Sequence, residues 1–551
     1  VPYLFGVCGQ GNVGLLDAAY NARDRITTIS THHEQSAGYM AEAYYKVRHQ
    51  PVATFTSCGP GSCNLPVALA SAMMDSASFL AITGNVPTSQ FNRNPFQETG
   101  RYFQGDYPSV IRPYVKRSFQ PTRAEMLPLA LRQAFALMRN GRPGPVNIDV
   151  PLDVFVETAA VAVPEPDPAL AQRSPGDPAA LEAALALLQH ARRPVILAGQ
   201  GVLLSEAAPE LLRFAGLMGI PVVSSPNGKG AIDETHELAF GAIGRNGTYA
   251  ANEATKNADV LLALGCSFDD RAASGWFQGY TFSIPPTKLI HIDIDASEIG
   301  RNYRPELGIV ADCKAALEAL IRMAEAKHSR GAYEGWLGHL GECRGAWGQY
   351  FAPFRKSDAF PVRPERLVQA FERVLPENAI LAVDVGRHHN WMVQLWKVRR
   401  PRHMAAVGDG SFMMTPHIVA TAVEYRIPAV WVIWNDSGYT SIRDLQLGNF
   451  RRELATSFEY QRTGELYTPD FALLARSFGA EGIAVAKAAD LEGALEAALK
   501  CEKPCVVDVR IDREARPAAT GGWQLPPLPP AEPTFEKLIG RSSSDPGPTN
   551  F

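Results

Sequence analysis

Short apolar runs, each closed by glycine or a polar turn, alternate with stretches of helical spacing over most of this chain. The run AVWVIW at 429–434 is continuous and too short for a helix, so it predicts a buried strand. Residues 411–425 carry helical spacing, with Pro416 tolerated in the first turn. RRPVILAGQGV from Arg192, PVVSS from Pro221, DVLLALGCSF from Asp259 and KLIHIDID from Lys288 predict four strands alternating with helices. Near the start, 27–30 and VATFTS from Val52 are strand-like, and a helix rich in small residues follows Glu34. A further helix is predicted around 314–325. Strands and helices in alternation place the chain in the α/β class, with open, mostly parallel sheets.

Composition divides the chain into three such domains. The first spans 1–156 and gives way to the linker VAVPEPDPALAQRSPGDPAA; the second spans 181–325; after another connector the third spans 361–511. The tail, 512–551, is rich in proline and serine and is expected to lie as an extended arm or to be partly mobile. A formal charge of −4 argues against a nucleic-acid or anionic-membrane surface. No apolar run approaches membrane-spanning length and no secretory signal is present, while the eight cysteines lack zinc-type spacing. These features predict a cytoplasmic protein with reduced thiols, and Cys58 and Cys63 read as small side chains beside a Gly-Pro-Gly loop.

Candidate chemistry begins at Gly408-Asp409-Gly410. The glycines let the backbone approach an anion where free helix N–H groups favour phosphate. Asp409 ends one strand and Asn435-Asp436 ends the next, so parallel pairing brings oxygen ligands for magnesium together, with diphosphate oxygens completing the shell. A tripeptide of this kind is usually an ordinary turn, and the spacing to Asn-Asp is what sharpens it. The pattern resembles the diphosphate-binding signature of thiamine diphosphate (ThDP) enzymes. That resemblance implies Mg2+ held by Asp409, by Asp436, where the family usually has Asn, and by the carbonyl of Gly438.

A second signal is independent of the first. THHEQSAGYMAEAYYKV from Thr31 and TSCGPGSCN from Thr56 resemble the pyrimidine-binding domain of acetohydroxyacid (acetolactate) synthases. FGVCGQGNVGLLDAAY, ITGNVPTSQFNRNPFQETG, YVKRSF, GRPGPVNIDVPLDVF and DVGRHHNW, similar to that family's DVGQHQMW, extend the likeness over nearly the whole chain. The resemblance makes Glu34 the cofactor-activating carboxyl, which hydrogen-bonds N1′ of the aminopyrimidine, and adds Gln97, His388 and Gln10 as catalytic positions. It assigns cofactor contacts to Gly408, Gly410, Ser411, Asn64, Gly386, Arg387 and His388. GTY at Gly247, FDDR ending at Arg271 and HIDID from His291 resemble flavin-contacting segments, so FAD is a further expected cofactor, with Arg271 and Asp293 as contacts.

The implied activity is a 2-oxo acid decarboxylase or carboligase that forms or cleaves C–C bonds through an enamine, with an aldehyde or ketone as acceptor. In the family the activating glutamate and the diphosphate site come from different subunits, which implies a homodimer or homotetramer. Leu445 stands where a tryptophan favours 2-oxobutyrate, and the longer loop after Gln97 brings Arg101, Tyr102 and Gln104. With His32, His33, His388 and His389 these point to a more hydroxylated or anionic substrate. Relatives carry a longer segment between Gly386 and Gly408 and a helix before the first strand, and such pieces are expected to be missing from the sequence as given. Two other readings stand beside the first. One is a ThDP-dependent C–C lyase or cyclic 1,2-diketone hydrolase, which the GQGN loop resembles. The other is a non-catalytic nucleotide-binding relative, against which Glu34, Asp409 and Asn435-Asp436 together argue.

Overall fold

The structure is a computed structural model that describes residues 1–98, 106–162, 173–327, 331, 333–400 and 407–520, with 407–409 described by backbone alone. These residues form two compact units. One is built from the described parts of 1–172 with 415–427, the other from those of 173–414 and 428–520.

The first unit centres on six parallel strands in the order Thr27–Ser30, Tyr3–Gly6, Ala53–Thr56, Leu80–Asn85, Val146–Pro151 and Ser118–Phe119. Its middle strands are buried on both faces, and Phe55, Leu80, Val146 and Ile148 form their core. Burial on both faces explains why these strands read as apolar runs rather than as alternating patterns. The helix Ile418–Glu424 belongs to this unit. His417 Nε2 lies 3.0 Å from Ser36 Oγ, and the Tyr425 hydroxyl accepts from Ser30 N at 2.7 Å.

The second unit holds two sheets. The six-stranded one runs Leu307–Val310, Lys288–Asp293, Val260–Leu264, Pro194–Ala198, Val222–Ser224, Ala239–Ala242, all parallel. The four-stranded one runs Val407–Gly408, Val430–Asn435, Cys505–Arg510, Glu481–Val485, also parallel. One hydrophobic cluster, from Leu262 to Val507, joins both sheets to the helices around them.

Three expectations are corrected. The four central strands are six, because the edge strands Leu307–Val310 and Ala239–Ala242 are short and contain glycine. The helix expected at 411–425 is two, Asp409–Met414 and Ile418–Glu424, with Pro416 between them, since its ring and missing N–H stop the ladder. The second connector contains a helix, Glu334–Arg355, that buries Trp336, Leu340, Cys343, Trp347 and Phe351. Of the tail, residues 513–520 form an arm in which Ala515, Ala518, Ala519 and Thr520 are buried while Glu514 and Arg516 are exposed. Gln394 Nε2 donates to Ala518 O, and Thr520 Oγ1 donates to Gly247 O at 2.7 Å. All eight cysteines are free thiols, and no helix among the described residues is long and apolar enough to cross a membrane.

At the end of Val146–Pro151, Asp149 is fully buried and accepts from Thr83 Oγ1 at 2.7 Å, Asn85 Nδ2 at 2.6 Å and Gln120 Nε2 at 2.9 Å. Burial pushes its carboxyl from 3.8 up to about 6, against the pull of those donors. The folded state therefore holds a proton more tightly than the unfolded chain, and the stability this gives is full below 3.8 and lost as pH rises through about 6. Asp149→Asn is expected to flatten the dependence of melting temperature on pH between those values, and an unchanged slope would show that Asp149 does not titrate there.

Candidate functional site

Two clusters carry the expected chemistry, one on each unit. In the first, the strand Thr27–Ser30 delivers the chain to the helix Glu34–Arg48, whose first residue is Glu34 and whose N-cap, His33, accepts from Gln35 N at 3.2 Å. Glu34 is buried, and its Oε2 accepts from Asn64 Nδ2 at 2.9 Å. Its Oε1 lies 2.9 Å from where a Cβ on Gly61 would stand, so a side chain there would meet the carboxylate. The same loop turns at Gly59, with φ +59°, where a Cβ would come within 2.4 Å of Gln97 O. Gln97 itself has φ +67°, and Cys58 Sγ lies 3.6 Å from its Oε1. Gln10 is exposed at the start of a short turn, whose Gly11 N donates to Ser57 Oγ at 3.1 Å. Glu34, Asn64, Gly61, Cys58 and Gln97 are thus linked around one glycine-rich loop.

The second cluster lies at the strand ends of the four-stranded sheet. Val407 pairs with Ile433 and Gly408 with Trp434, so the turns at Asp409 and at Asn435-Asp436 leave the same edge. A cavity there is lined by Gly386, Arg387, His388, Gly410, Ser411, Trp434, Asp436 and Gly438. Tyr439 comes so close to Gly410 that a Cβ would lie 2.7 Å from its ring. His388 is buried, burial pushes its imidazole down to about 4, and its Nε2 has no hydrogen-bond partner. Asp436 Oδ2 accepts from Thr440 Oγ1, and desolvation raises the Asp436 carboxyl to about 6. The side chain of Asp409 lies outside the described residues, as do Arg101, Tyr102 and Gln104.

The chain matches three family models: the N-terminal TPP-binding domain of thiamine pyrophosphate enzymes over 1–104, their central domain over 181–320, and their C-terminal TPP-binding domain over 402–509. It is 32% identical to a probable acetolactate synthase large subunit of Methanocaldococcus jannaschii, over 95% of this chain and 92% of the relative. The chain belongs to the thiamine pyrophosphate (ThDP) enzymes. Other relatives are acetolactate synthase 1, chloroplastic, of Nicotiana tabacum, 30% identical over 94% of this chain and 80% of the relative, and the acetolactate synthase large subunit of Corynebacterium glutamicum, 29% identical over 93% and 85%. It is a ThDP-dependent enzyme of the acetolactate synthase-like, decarboxylase and carboligase kind.

For such an enzyme the second cluster suits a diphosphate: it offers an unpartnered buried imidazole nitrogen, and Gly386, Gly410 and Gly438 line the cavity. The described oxygens suited to a divalent cation are the Asp436 carboxylate and the Gly438 backbone. Among the described residues no group of three or more His, Cys, Asp or Glu side chains is placed to hold a metal. The residues expected to contact flavin have these partners within the chain. Arg271 Nη2 donates to Asn390 Oδ1 at 3.0 Å and lies 3.3 Å from His389 Nδ1, while Asp293 Oδ1 accepts from Asp295 N at 2.9 Å. His32 pairs with Glu424 at 3.1 Å rather than standing in either cluster. Thr440 and Asp444 join the second cluster unforeseen. A hydroxyl four residues after Asp436, at the first turn of the helix Thr440–Phe450, was the available signal.

Proposed function

We propose that the chain is a carboligase that binds ThDP and Mg2+, takes a 2-oxo acid donor, releases carbon dioxide and joins the remaining fragment to an aldehyde or ketone. The observation that carries this is the state of Glu34, a buried carboxylate at a helix start with one oxygen held by Asn64 and the other against Gly61. A carboxyl so placed can hold or move a proton at N1′ of an aminopyrimidine, and Asn64 fixes its orientation. When bound, ThDP supplies a nucleophilic C2 that adds to the donor carbonyl and accepts the electrons released with carbon dioxide.

The other roles follow from position. Gly408, Gly410, Ser411, Gly386 and His388 would hold the diphosphate, and Asp409, Asp436 and the Gly438 carbonyl would hold Mg2+. Gln97 and Gln10, on the loops around Glu34, would meet the substrate; Leu445 in place of tryptophan argues against 2-oxobutyrate as acceptor, and the added polar groups favour a hydroxylated or anionic substrate. FAD is a further part of this reading, with Arg271 and Asp293 among its contacts, and flavin absorbance in natively purified protein tests it. Eight free thiols fit the expected cytoplasmic location. A homodimer or homotetramer is part of the proposal, supported by the placing of the Glu34 cluster and the second cluster on separate units of the chain.

Glu34→Gln is expected to keep ThDP binding while slowing hydrogen–deuterium exchange at C2 of the bound cofactor by about 100-fold or more, as followed by quenched-flow NMR. Exchange at the parent rate in that variant would remove Glu34 from this role. Dilution to monomer is expected to abolish activity, and an active monomer in sedimentation-coupled assays would contradict the shared site.

A further inference from the structure

Arg387 occupies an unfavourable position. It is the first residue of the helix Arg387–Leu395, where the dipole disfavours a cation, and it is only 4% exposed. Its guanidinium is nevertheless engaged on three sides. Nη1 and Nη2 donate to Arg513 O at 2.8 and 2.7 Å, Nη2 also donates to Ala515 O, and Nε stands 3.2 Å from Asp444 Oδ2. Asp444 is itself shared, with Arg516 Nε 3.4 Å from its other oxygen. Both Nη atoms are therefore taken by the arm, while Nε is paired by charge with Asp444 but makes no hydrogen bond among the described residues.

Among the described residues lining the cavity, the acidic one is Asp436, which lines it together with Arg387. Burial pulls the guanidinium's pKa down, while Asp444 and then Asp436 oppose that pull. The sequence differs from the DVGQHQMW pattern and from the usual Asn-Asn pair at these two positions, and the differences have opposite sign. Arginine stands where glutamine is expected, and aspartate where asparagine is expected. Far apart in sequence, the two residues meet in one cavity.

We propose that Arg387 is a positioning residue that balances the negative charge of Asp436 and ties it to the arm 513–520, and that it does not itself hold the diphosphate. This rests on the reading of the second cluster as a ThDP and divalent-cation site. In this arrangement Thr440 fixes one Asp436 oxygen, Arg387 offsets the charge, and the cation site keeps about the net charge that an asparagine would give it.

A double-mutant cycle with Arg387→Gln, Asp436→Asn and the double variant tests it, read in two ways. In cofactor-free protein at mildly alkaline pH, Arg387→Gln is expected to lower the melting temperature, and adding Asp436→Asn to recover part of the loss. With ThDP present, Mn2+ affinity read by electron paramagnetic resonance is expected to tighten about fivefold on Arg387→Gln, to weaken by a similar factor on Asp436→Asn, and to stay near the parent value in the double variant. Arg387→Lys, which keeps the charge, is expected to keep the parent Mn2+ affinity. Additive melting shifts, or an equal fall of ThDP affinity in both backgrounds, would overturn the proposal in favour of a direct diphosphate contact. If the parent protein binds neither ThDP nor Mn2+, the functional reading fails, and the melting cycle alone then decides whether the charges are coupled.

Discussion

The parallel ladder between Val407–Gly408 and Val430–Asn435 is the contact on which the second cluster depends. Because Gly408 stands opposite Trp434, the turn that begins at Asp409 and the one that begins at Asn435-Asp436 leave the sheet side by side. A one-residue slip would also turn every side chain of the short strand to the other face. The neighbouring ladder from Val430–Asn435 to Cys505–Arg510 carries the register into the core through Val507 and Val509. Strand ends in a parallel sheet present backbone groups and helix starts to one side, which is why an anion site at that edge needs few side chains.

Around that edge the fold keeps polar groups dry. His388 is held neutral by burial with an unpartnered nitrogen, Asp436 is raised by desolvation, and Arg387 is enclosed by carbonyls and Asp444. An unsatisfied buried group costs on the order of 1–3 kcal/mol, so a site of this kind is stable only because the surrounding core is well packed, and binding of a charged ligand would recover part of that cost. Glu34 meets the same condition on the other unit by a simpler route, with Asn64 as its donor among the described residues and glycine where any other residue would displace it.

Much of this was legible in the sequence. Strands buried on both faces read directly as apolar runs, the two turns of the proposed diphosphate site stood out by their place at strand ends, and Glu34 stood out through the family resemblance. What was hidden has particular causes. The helix Glu334–Arg355 contains Gly335, Gly338, Gly341, Gly345 and Gly348, and that much glycine masks a helix whose buried face is set by tryptophans and a phenylalanine. Pro416 was read as a first-turn residue because the spacing on both sides is helical, yet it falls where the chain passes from one unit to the other. The composition of the tail suggested an arm, but its hydrogen bonds to Arg387, Gln394 and Gly247 depend on tertiary contacts that no local pattern encodes. Arg387 read as a cofactor contact, and the proposal that it positions Asp436 instead rests on hydrogen bonds to the arm that the sequence does not reveal.

The most direct measurement is a mass-resolved product screen of the ThDP- and Mg2+-loaded protein, with pyruvate alone and with a panel of aldehydes. Release of carbon dioxide together with a product joining the decarboxylated donor to an acceptor is the predicted result. No turnover of any 2-oxo acid, by protein that demonstrably holds its cofactor, would contradict the account.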